Sequence, residues 1–244
     1  MKDCFSSGAN DPSQVRRGLR FTPAQCTKRD TRIGVRMIEL YTWSTPNGQK
    51  LSIMLEEVGL PYRVHPIDIF KDEQFAPAFQ AISPNNRIPA IVDTDNGLRL
   101  MESGAILLYL AEKTGQLWPQ TFPEKWRVLE WLMWQMGGPG PFLGQAHHFL
   151  KFNPGKSSYA EERYGKEAKR LWGVLDRRLA EVEYVAVDYS VADIAIFPWI
   201  SRFEWQGVSF ADHPNVLRWY LAIAARPAVE RGFNVPERRH IPMP

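Results

Sequence analysis

Cysteine is scarce in this chain of 244 residues, because Cys4 and Cys26 are the only two and none follows them. The chain also lacks any apolar run that approaches the roughly 18 residues needed to cross a bilayer. Internal repeats and low-complexity tracts are missing as well. With 44% hydrophobic and 12% aromatic residues, the composition is that of a globular protein. We therefore expect a soluble, cytoplasmic protein with no membrane partner and a cysteine-free fold.

Positive charge is concentrated at the N-terminus. Residues 1–36 contain eight Lys and Arg and three Asp, and the whole chain has a formal charge of +3, which leaves about −2 for the rest. The sequence therefore does not predict nucleic-acid binding by the fold. The segment lacks the apolar core of a secretory signal, and we expect residues 1–36 to be a disordered extension. It resembles an organellar transit peptide, but Met37 directly precedes the first predicted strand, which favours translation from an upstream start.

The first half of the chain alternates between strand and helix patterns. Apolar residues at helical spacing begin after Asn47 and end at Gly59, and an Asp-Asn-Gly turn separates two short extended runs. The order predicts a mixed sheet with helices packed on it. The expected strands are 38–41, 60–64, 90–93 and 98–101, and the expected helices are 47–58 and 103–113.

Beyond Pro119 the strand signals stop, and every strong pattern is helical. Ser190 and Asp193 form a capping-box start, and the Gly-Gly-Pro-Gly-Pro run at 137–141 must break a helix. We expect a first domain at 37–118, an all-helical domain at 124–233 and a flexible tail at 234–244. The predicted helices are 125–136, 159–182, 191–205 and 214–225.

Five pieces of sequence in this order resemble the cytosolic glutathione transferases, and within them the bacterial Nu class of glutathione-dependent disulfide-bond oxidoreductases. The resemblance covers residues 37 to about 233. It implies a thioredoxin-like α/β domain followed by an all-α domain, a homodimer, and glutathione or glutathione disulfide as co-substrate. The five pieces are Thr45-Pro46-Asn47-Gly48, residues 82–93, residues 102–113, residues 143–149 and residues 189–195.

Two of these pieces offer groups for the ends of a charged tripeptide. Glu102 can accept from an ammonium, and Ser103, with the free N–H groups of a helix N-terminus, can donate to a carboxylate. Alternatively, Ser103 only caps the helix and Glu102 is a solvated acid. The family resemblance implies a cis peptide bond between Ile88 and Pro89, whose outward-facing backbone pairs with the ligand. An ordinary proline at the start of a strand is the alternative.

Thr45 and Asn47 occupy the position where the family activates the sulfur. A free thiol has a pKa near 8.5, so a hydroxyl or amide donor and the positive end of a helix would stabilise its thiolate. The same residues also make a good turn and a good N-cap, and both roles can coexist. Ser44 is the reserve candidate. No cysteine lies at this turn, which excludes the classes that depend on a catalytic cysteine.

Further residues correspond to ligand contacts in the class. Gln74 matches a glutathione contact, Arg87 stands where a lysine is common and is expected to attract the ligand carboxylate, and Arg163 matches a helical-domain arginine that reaches the site. Alone, Gln74 is a loop glutamine, and Arg163 has the spacing of a surface ion-pair partner. The chain departs from the class at position 146. The class has an asparagine there that contacts ligand across the dimer, and this chain has Ala146. Whether the cross-dimer contact forms, and how tightly a second glutathione binds, therefore stay open.

The resemblance implies reduction of disulfide bonds by glutathione with no cysteine from the protein, so that both reacting sulfurs come from bound glutathione and a small disulfide. One alternative is a conventional transferase that conjugates glutathione to carbon electrophiles. Another is a non-catalytic scaffold that binds a protein. We predict no metal site, because His147 and His148 project in different directions and no third His or Cys follows at ligand spacing.

Overall fold

A computed structural model describes residues 37–186 and 188–244. Predictions for residues 1–36 lie outside this part of the chain. The first half contains a four-stranded sheet with the order β2-β1-β3-β4, in which β1 and β2 are parallel and the other pairs antiparallel. The strands are β1 (Ile38–Thr42), β2 (Tyr62–Pro66), β3 (Ala90–Asp93) and β4 (Arg99–Met101).

Two long helices accompany the sheet, α1 (Pro46–Val58) and α3 (Ser103–Thr114), and α2 (Pro77–Gln80) is a single turn between them. Gly59 and Gly115 cap α1 and α3 in the left-handed conformation that glycine adopts without strain. Helix α1 is the crossover between the parallel strands β1 and β2. Its buried face includes Leu51, Met54 and Leu55, which join Leu40 and Ile91 of the sheet in the core.

The described residues of the second half form helices joined by loops, with no strand. Helix α7 lies at its centre and is buried at every position, so its capping box at Ser190 and Asp193, confirmed in the structure, is buried too. The helices are α4 (Phe122–Gly137), α5 (Pro139–Ala146), α6 (Ser158–Glu181), α7 (Val191–Ile200), α8 (Phe203–Gln206), α9 (Pro214–Ala224) and α10 (Pro227–Phe233), with a π-helical segment at His147–Phe152. The predicted thioredoxin-like plus all-α fold is thus confirmed.

Helix α10 packs back onto α1 of the first half. A Cβ placed on Gly232 would lie 2.5 Å from the Ile53 Cα, so only glycine permits this approach. Ser52 Oγ donates to the Gly232 carbonyl at 2.7 Å, and Gln49 Nε2 donates to the Phe233 carbonyl at 3.0 Å. These contacts hold the start of α1 against the helical half.

Some predicted boundaries were wrong. The second strand lies two residues later than expected, at Tyr62–Pro66, because Pro61 has no N–H to donate to the sheet. The helix expected at 191–205 ends at Ile200, where the Ser201 hydroxyl donates to the Pro198 carbonyl, and α8 follows separately. The helix expected from residue 125 begins at Phe122, with Pro123 in its first turn.

The predicted domain bounds of 37–118 and 124–233 remain predictions, and α3 ends at Thr114 while α4 begins at Phe122. The flexible tail at 234–244 also remains a prediction. In the structure its last residues have no helix or strand, and the Pro242 carbonyl accepts from the Tyr220 hydroxyl at 2.6 Å. Within the described residues, no helix is both long and apolar enough to cross a membrane.

Candidate active site

Two adjoining cavities lie where the sheet half meets the helical half. The larger, of about 490 Å³, contains Glu102 and Ser103 at the start of α3, and the smaller, of about 310 Å³, contains Thr45 and Gln74. The two cavities share four lining residues, Asn47, Arg87, Ile88 and Trp199. Of the sequence-predicted residues, Arg163 and the reserve candidate Ser44 line neither cavity.

The turn between β1 and α1 positions Thr45 and Asn47. Thr45 is the N-cap of α1, and its Oγ1 accepts from Gly48 N–H at 3.2 Å, which leaves the hydroxyl hydrogen free to donate. A Cβ on Gly48 would lie 2.1 Å from the Trp43 carbonyl oxygen, so the turn requires glycine there. Asn47 Oδ1 accepts from Trp199 Nε1 at 3.0 Å, so the amide presents its NH₂ group to other partners. Donors therefore surround the N-terminal end of α1.

Ile88 and Pro89 border the larger cavity just before β3, and the peptide bond between them is cis, as predicted. The side chain of Ser83 fixes this loop, because its hydroxyl donates to the Arg87 carbonyl at 2.9 Å. Arg87 is itself exposed at the border of both cavities, which is where a cation can attract an anionic ligand.

Glu102 and Ser103 lie at the beginning of α3. Glu102 is exposed and has a φ of 71°, a conformation that costs an L-residue about 1–3 kcal/mol and is found mainly at functional sites. Ser103 is buried, and the free N–H groups of the first turn of α3 lie beside it. An acceptor for a cation and donors for an anion are thus adjacent at this helix start, and their role in ligand binding stays a prediction. No side-chain hydrogen bond from Glu102 caps the helix.

The smaller cavity contains acceptors that are not used within the described residues. Gln74 Oε1 and Asn86 Oδ1 are both buried and have no hydrogen-bond partner there. Gln74 Nε2 is held by Asp72 Oδ1 at 3.4 Å, which turns the carbonyl oxygen away from that carboxylate. Buried acceptors without partners are rare in folded proteins and suit a ligand that carries peptide N–H groups. Asn86 was not predicted from the sequence.

Two more residues of the larger cavity were missed. Lys50 is 1% exposed and donates to Ser103 Oγ at 3.2 Å and to Gln135 Oε1 at 2.6 Å. Burial lowers the Lys50 pKa to about 7, although the charge of Glu102 acts in the opposite direction. A signal existed in the sequence, because Lys50 shares the face of α1 with Ile53 and Met54, where an apolar residue is expected.

Trp199 reaches the site from the buried helix α7. Its ring stacks on the buried His147 with centroids 5.6 Å apart, and His147 Nε2 lies 3.0 Å from Gln206 Nε2. Burial and the nearby Arg202 charge lower the His147 pKa to about 4, so this histidine is neutral at pH 7 and accepts the Gln206 amide hydrogen. The neutral His147 ring, held by Gln206, therefore packs against the face of Trp199 and fixes its position.

Arg163 borders a separate groove of about 480 Å³ on α6, together with Tyr159 and Arg170. The structure does not bring it to the other predicted residues. Ser44, the reserve candidate, is buried and its hydroxyl donates to Glu237 Oε2 at 3.5 Å. In residues 37–186 and 188–244, no group of three or more His, Cys, Asp or Glu could hold a metal ion.

Comparisons with known proteins agree with this arrangement. Residues 45–113 match the family model for the glutathione S-transferase N-terminal domain. The chain is 48% identical over 198 residues to the disulfide-bond oxidoreductase YfcG of Escherichia coli strain K12, covering 79% of this chain and 92% of that protein.

Solved structures with bound ligands are also similar to this chain. A glutathione transferase from Burkholderia graminis, solved with two glutathione molecules per subunit, has 45% identity and a TM-score of 0.79, and the match covers 84% of this chain and 90% of that one. A glutathione transferase from Pseudomonas putida, solved with one glutathione disulfide per subunit, also has 45% identity and a TM-score of 0.79. This match covers 82% of this chain and 92% of that one. On sequence and fold together, the chain belongs to the glutathione S-transferase family.

Proposed function

We propose that this protein binds glutathione or glutathione disulfide and catalyses glutathione-dependent reduction of disulfide bonds. The observation that carries the proposal is the β1–α1 turn, where hydroxyl and amide donors of Thr45 and Asn47 meet a helix N-terminus and no cysteine is present. Such a turn can stabilise a thiolate that a ligand supplies. The relatives named disulfide-bond oxidoreductase or solved with glutathione support the same chemistry.

The reaction consists of two thiol–disulfide exchanges. A glutathione thiolate attacks one sulfur of the substrate disulfide, whose S–S bond breaks, and the released thiolate takes up a proton. A second glutathione then attacks the glutathione sulfur of the mixed disulfide and releases the second substrate thiol. Two glutathione thiols are oxidised to one disulfide, and one substrate disulfide is reduced to two thiols. The protein contributes positioning and stabilisation of the thiolate.

Steady-state reduction of a small mixed disulfide by glutathione, coupled to glutathione reductase, tests the proposal on the full chain. The matched control is the double variant Cys4→Ser/Cys26→Ser, which removes every cysteine from the protein. Equal turnover by both proteins is expected. Loss of turnover in the double variant would contradict the proposal, because the protein's own thiols would then be responsible.

Conjugation of glutathione to carbon electrophiles is the second candidate function, since the same thiolate can attack carbon. Turnover of a chlorinated aromatic substrate much faster than that of the disulfide would select it. A non-catalytic scaffold would show neither activity. The grouping of Thr45, Asn47, Glu102 and Ser103 around adjoining cavities argues against a scaffold, which has no need of all four.

A homodimer and a cytoplasmic location are part of the same proposal. The family resemblance supports the dimer, and so do the exposed large side chains of Phe122, Trp126 and Met133 on α4. Light scattering should give twice the chain mass of 28.1 kDa, and a monomer would contradict this part. The cytoplasm suits an enzyme that consumes reduced glutathione, because thiols are kept reduced there.

A further inference from the structure

Lys50 has no part in the chemistry above, yet it lies at the wall of the larger cavity. Its ammonium is completely buried and contacts three neutral groups, Gln135 Oε1 at 2.6 Å, Ser103 Oγ at 3.2 Å and Met136 Sδ at 3.7 Å. Within the part of the chain that the structure describes, no carboxylate forms an ion pair with it. A buried charge without a partner is expensive, so an apolar residue would serve the fold better here.

Two effects act on the pKa of Lys50. Burial lowers it to about 7, and the negative charge of Glu102 raises it. At neutral pH, Lys50 is therefore divided about equally between amine and ammonium. Arg202 donates to Gln49 Oε1 on α1 at 3.0 Å, Arg87 borders the same cavity as Lys50, and the other charged groups on the elements around α1 have partners of their own. These pairs are Glu39 with Arg63 and His65, Glu56 with Arg231, Glu57 with Arg226, Asp93 with Lys113, Arg127 with Glu130, and Asp193 with Trp219.

Lys50 determines how two neighbouring groups face the cavity. Because its Nζ donates to Ser103 Oγ, the Ser103 hydroxyl hydrogen points away from Lys50, to Met136 Sδ at 3.8 Å, a weak acceptor that a ligand carboxylate can replace. Because Nζ also donates to Gln135 Oε1, the amide is turned so that its Nε2 is the free end. That Nε2 is buried and has no partner within the described residues. Two donors and a source of positive charge thus lie together beside Glu102.

We propose that Lys50 is a positioning residue of the glutathione site, a buried amine that takes up a proton from solvent when the ligand's α-carboxylate reaches Ser103. The ammonium then balances the carboxylate and holds the Ser103 hydroxyl and the Gln135 amide in place. This inference rests on the proposed function, because it assumes that the γ-glutamyl head binds at Glu102 and Ser103.

Calorimetric titration with S-methylglutathione tests the proposal, because this ligand has no thiol to release a proton. Titrations in buffers of different ionisation enthalpy give the number of protons exchanged on binding. With a pKa of about 7 in the free protein, about 0.8 proton should enter per site at pH 7.5. The wild-type affinity should also fall about tenfold between pH 7 and 8.5 as the proton becomes harder to supply.

Lys50→Met is the diagnostic variant, and Lys151→Met, which removes an exposed lysine, is the matched control. Lys50→Met should bind about tenfold more weakly with no proton uptake, and Lys151→Met should behave like the wild type. Proton release, or uptake that persists in Lys50→Met, would overturn the inference. If Lys50→Met does not fold, a wild-type affinity that is flat from pH 7 to 8.5 overturns it instead. No binding of S-methylglutathione by the wild type would overturn the proposed function as well.

Discussion

At the residue scale, Thr45 combines a structural and a chemical role, because one lone pair caps α1 while the hydroxyl hydrogen is free. We predict that Thr45→Ala lowers kcat for disulfide reduction by about tenfold or more, the usual scale for loss of a donor to a developing anion. Thr45→Ser retains the hydroxyl and should stay near wild type. The lost cap costs about 1 kcal/mol, so the fold should survive. Unchanged kinetics for Thr45→Ala would transfer the role to Asn47 or Ser44.

Glu102 is expected to hold the ammonium of the ligand and not its sulfur. Glu102→Ala should therefore weaken glutathione binding by about ten- to a hundredfold, the scale of a hydrogen bond to a charged group, with a smaller change in kcat. The comparison variant is Glu112→Ala, an exposed glutamate on the same helix. Binding is measured by calorimetry and kcat at saturating glutathione. A lower kcat with normal affinity is the result that would contradict this role.

Trp199 orients Asn47 through one hydrogen bond of 3.0 Å. Trp199→Phe keeps an aromatic ring beside His147 but removes the donor, so the Asn47 amide should lose its fixed orientation. We predict a fall in kcat of about three- to tenfold with little change in KM, from the loss of one hydrogen bond. Trp118→Phe, which removes an indole N–H that has no hydrogen-bond partner within the described residues, is the matched control.

The double variant Asn47→Ala/Trp199→Phe separates positioning from other effects of the tryptophan. If Trp199 acts through Asn47, the double variant should be no slower than Asn47→Ala alone. Losses that multiply would show that Trp199 acts on the reaction independently of that amide.

At the element scale, the approach of α10 to α1 depends on one glycine. Gly232→Ala would place a Cβ 2.5 Å from the Ile53 backbone, so the helices must separate. Overpacking of this kind costs about 1–3 kcal/mol, and urea unfolding should register that loss. The control is Gly165→Ala on α6, whose new Cβ would be no closer than 4.0 Å to the Leu150 side chain. Equal stability of the two variants would show that the α1–α10 contact tolerates a wider spacing.

The sequence predicted the type and order of most elements because each has a strong local signal. Helix α1 begins at a Thr-Pro turn and ends at Gly59, and the hairpin has its Asp-Asn-Gly turn. Helix α10 was missed because seven residues are too few to show a helical spacing of apolar residues. Its position depends on contact with α1. The break after Ile200 was also missed. Helix α7 is apolar on every side, so its sequence has no helical period whose loss would mark the end of the helix.

The site was predicted only as far as its motifs are continuous in sequence. Glu102, Ser103 and the Ile88–Pro89 pair come from short motifs that meet as expected around one cavity. Gln135 and Trp199 come from α4 and α7, and only tertiary packing brings these helices to α1. Nothing in the spacing of residues on α4 or α7 distinguishes these two from ordinary core residues.

At the scale of the whole molecule, the buried His147 makes stability depend on pH. Its pKa is lowered to about 4 in the folded protein and is near 6.5 when unfolded, so the unfolded state binds more protons between these values. The free energy of unfolding should therefore fall as pH drops below about 6.5.

His147→Gln removes this titration while keeping an acceptor for Gln206. Between pH 7 and pH 5, urea unfolding of the wild type should lose about 2 kcal/mol more than that of His147→Gln. His148→Gln, at an exposed position, should follow the wild type. Parallel losses in all three proteins would assign the pH dependence to other groups.

The buried amine of Lys50 also bears on how this protein would evolve in the laboratory. At neutral pH, folding depresses the Lys50 pKa, so burying that side chain works against the folded state whenever no ligand is bound. A library selected for heat resistance without glutathione should therefore accumulate apolar replacements at position 50. The same library selected with the ligand present should keep the lysine, because bound ligand stabilises the folded protein by an amount that grows with the logarithm of its affinity.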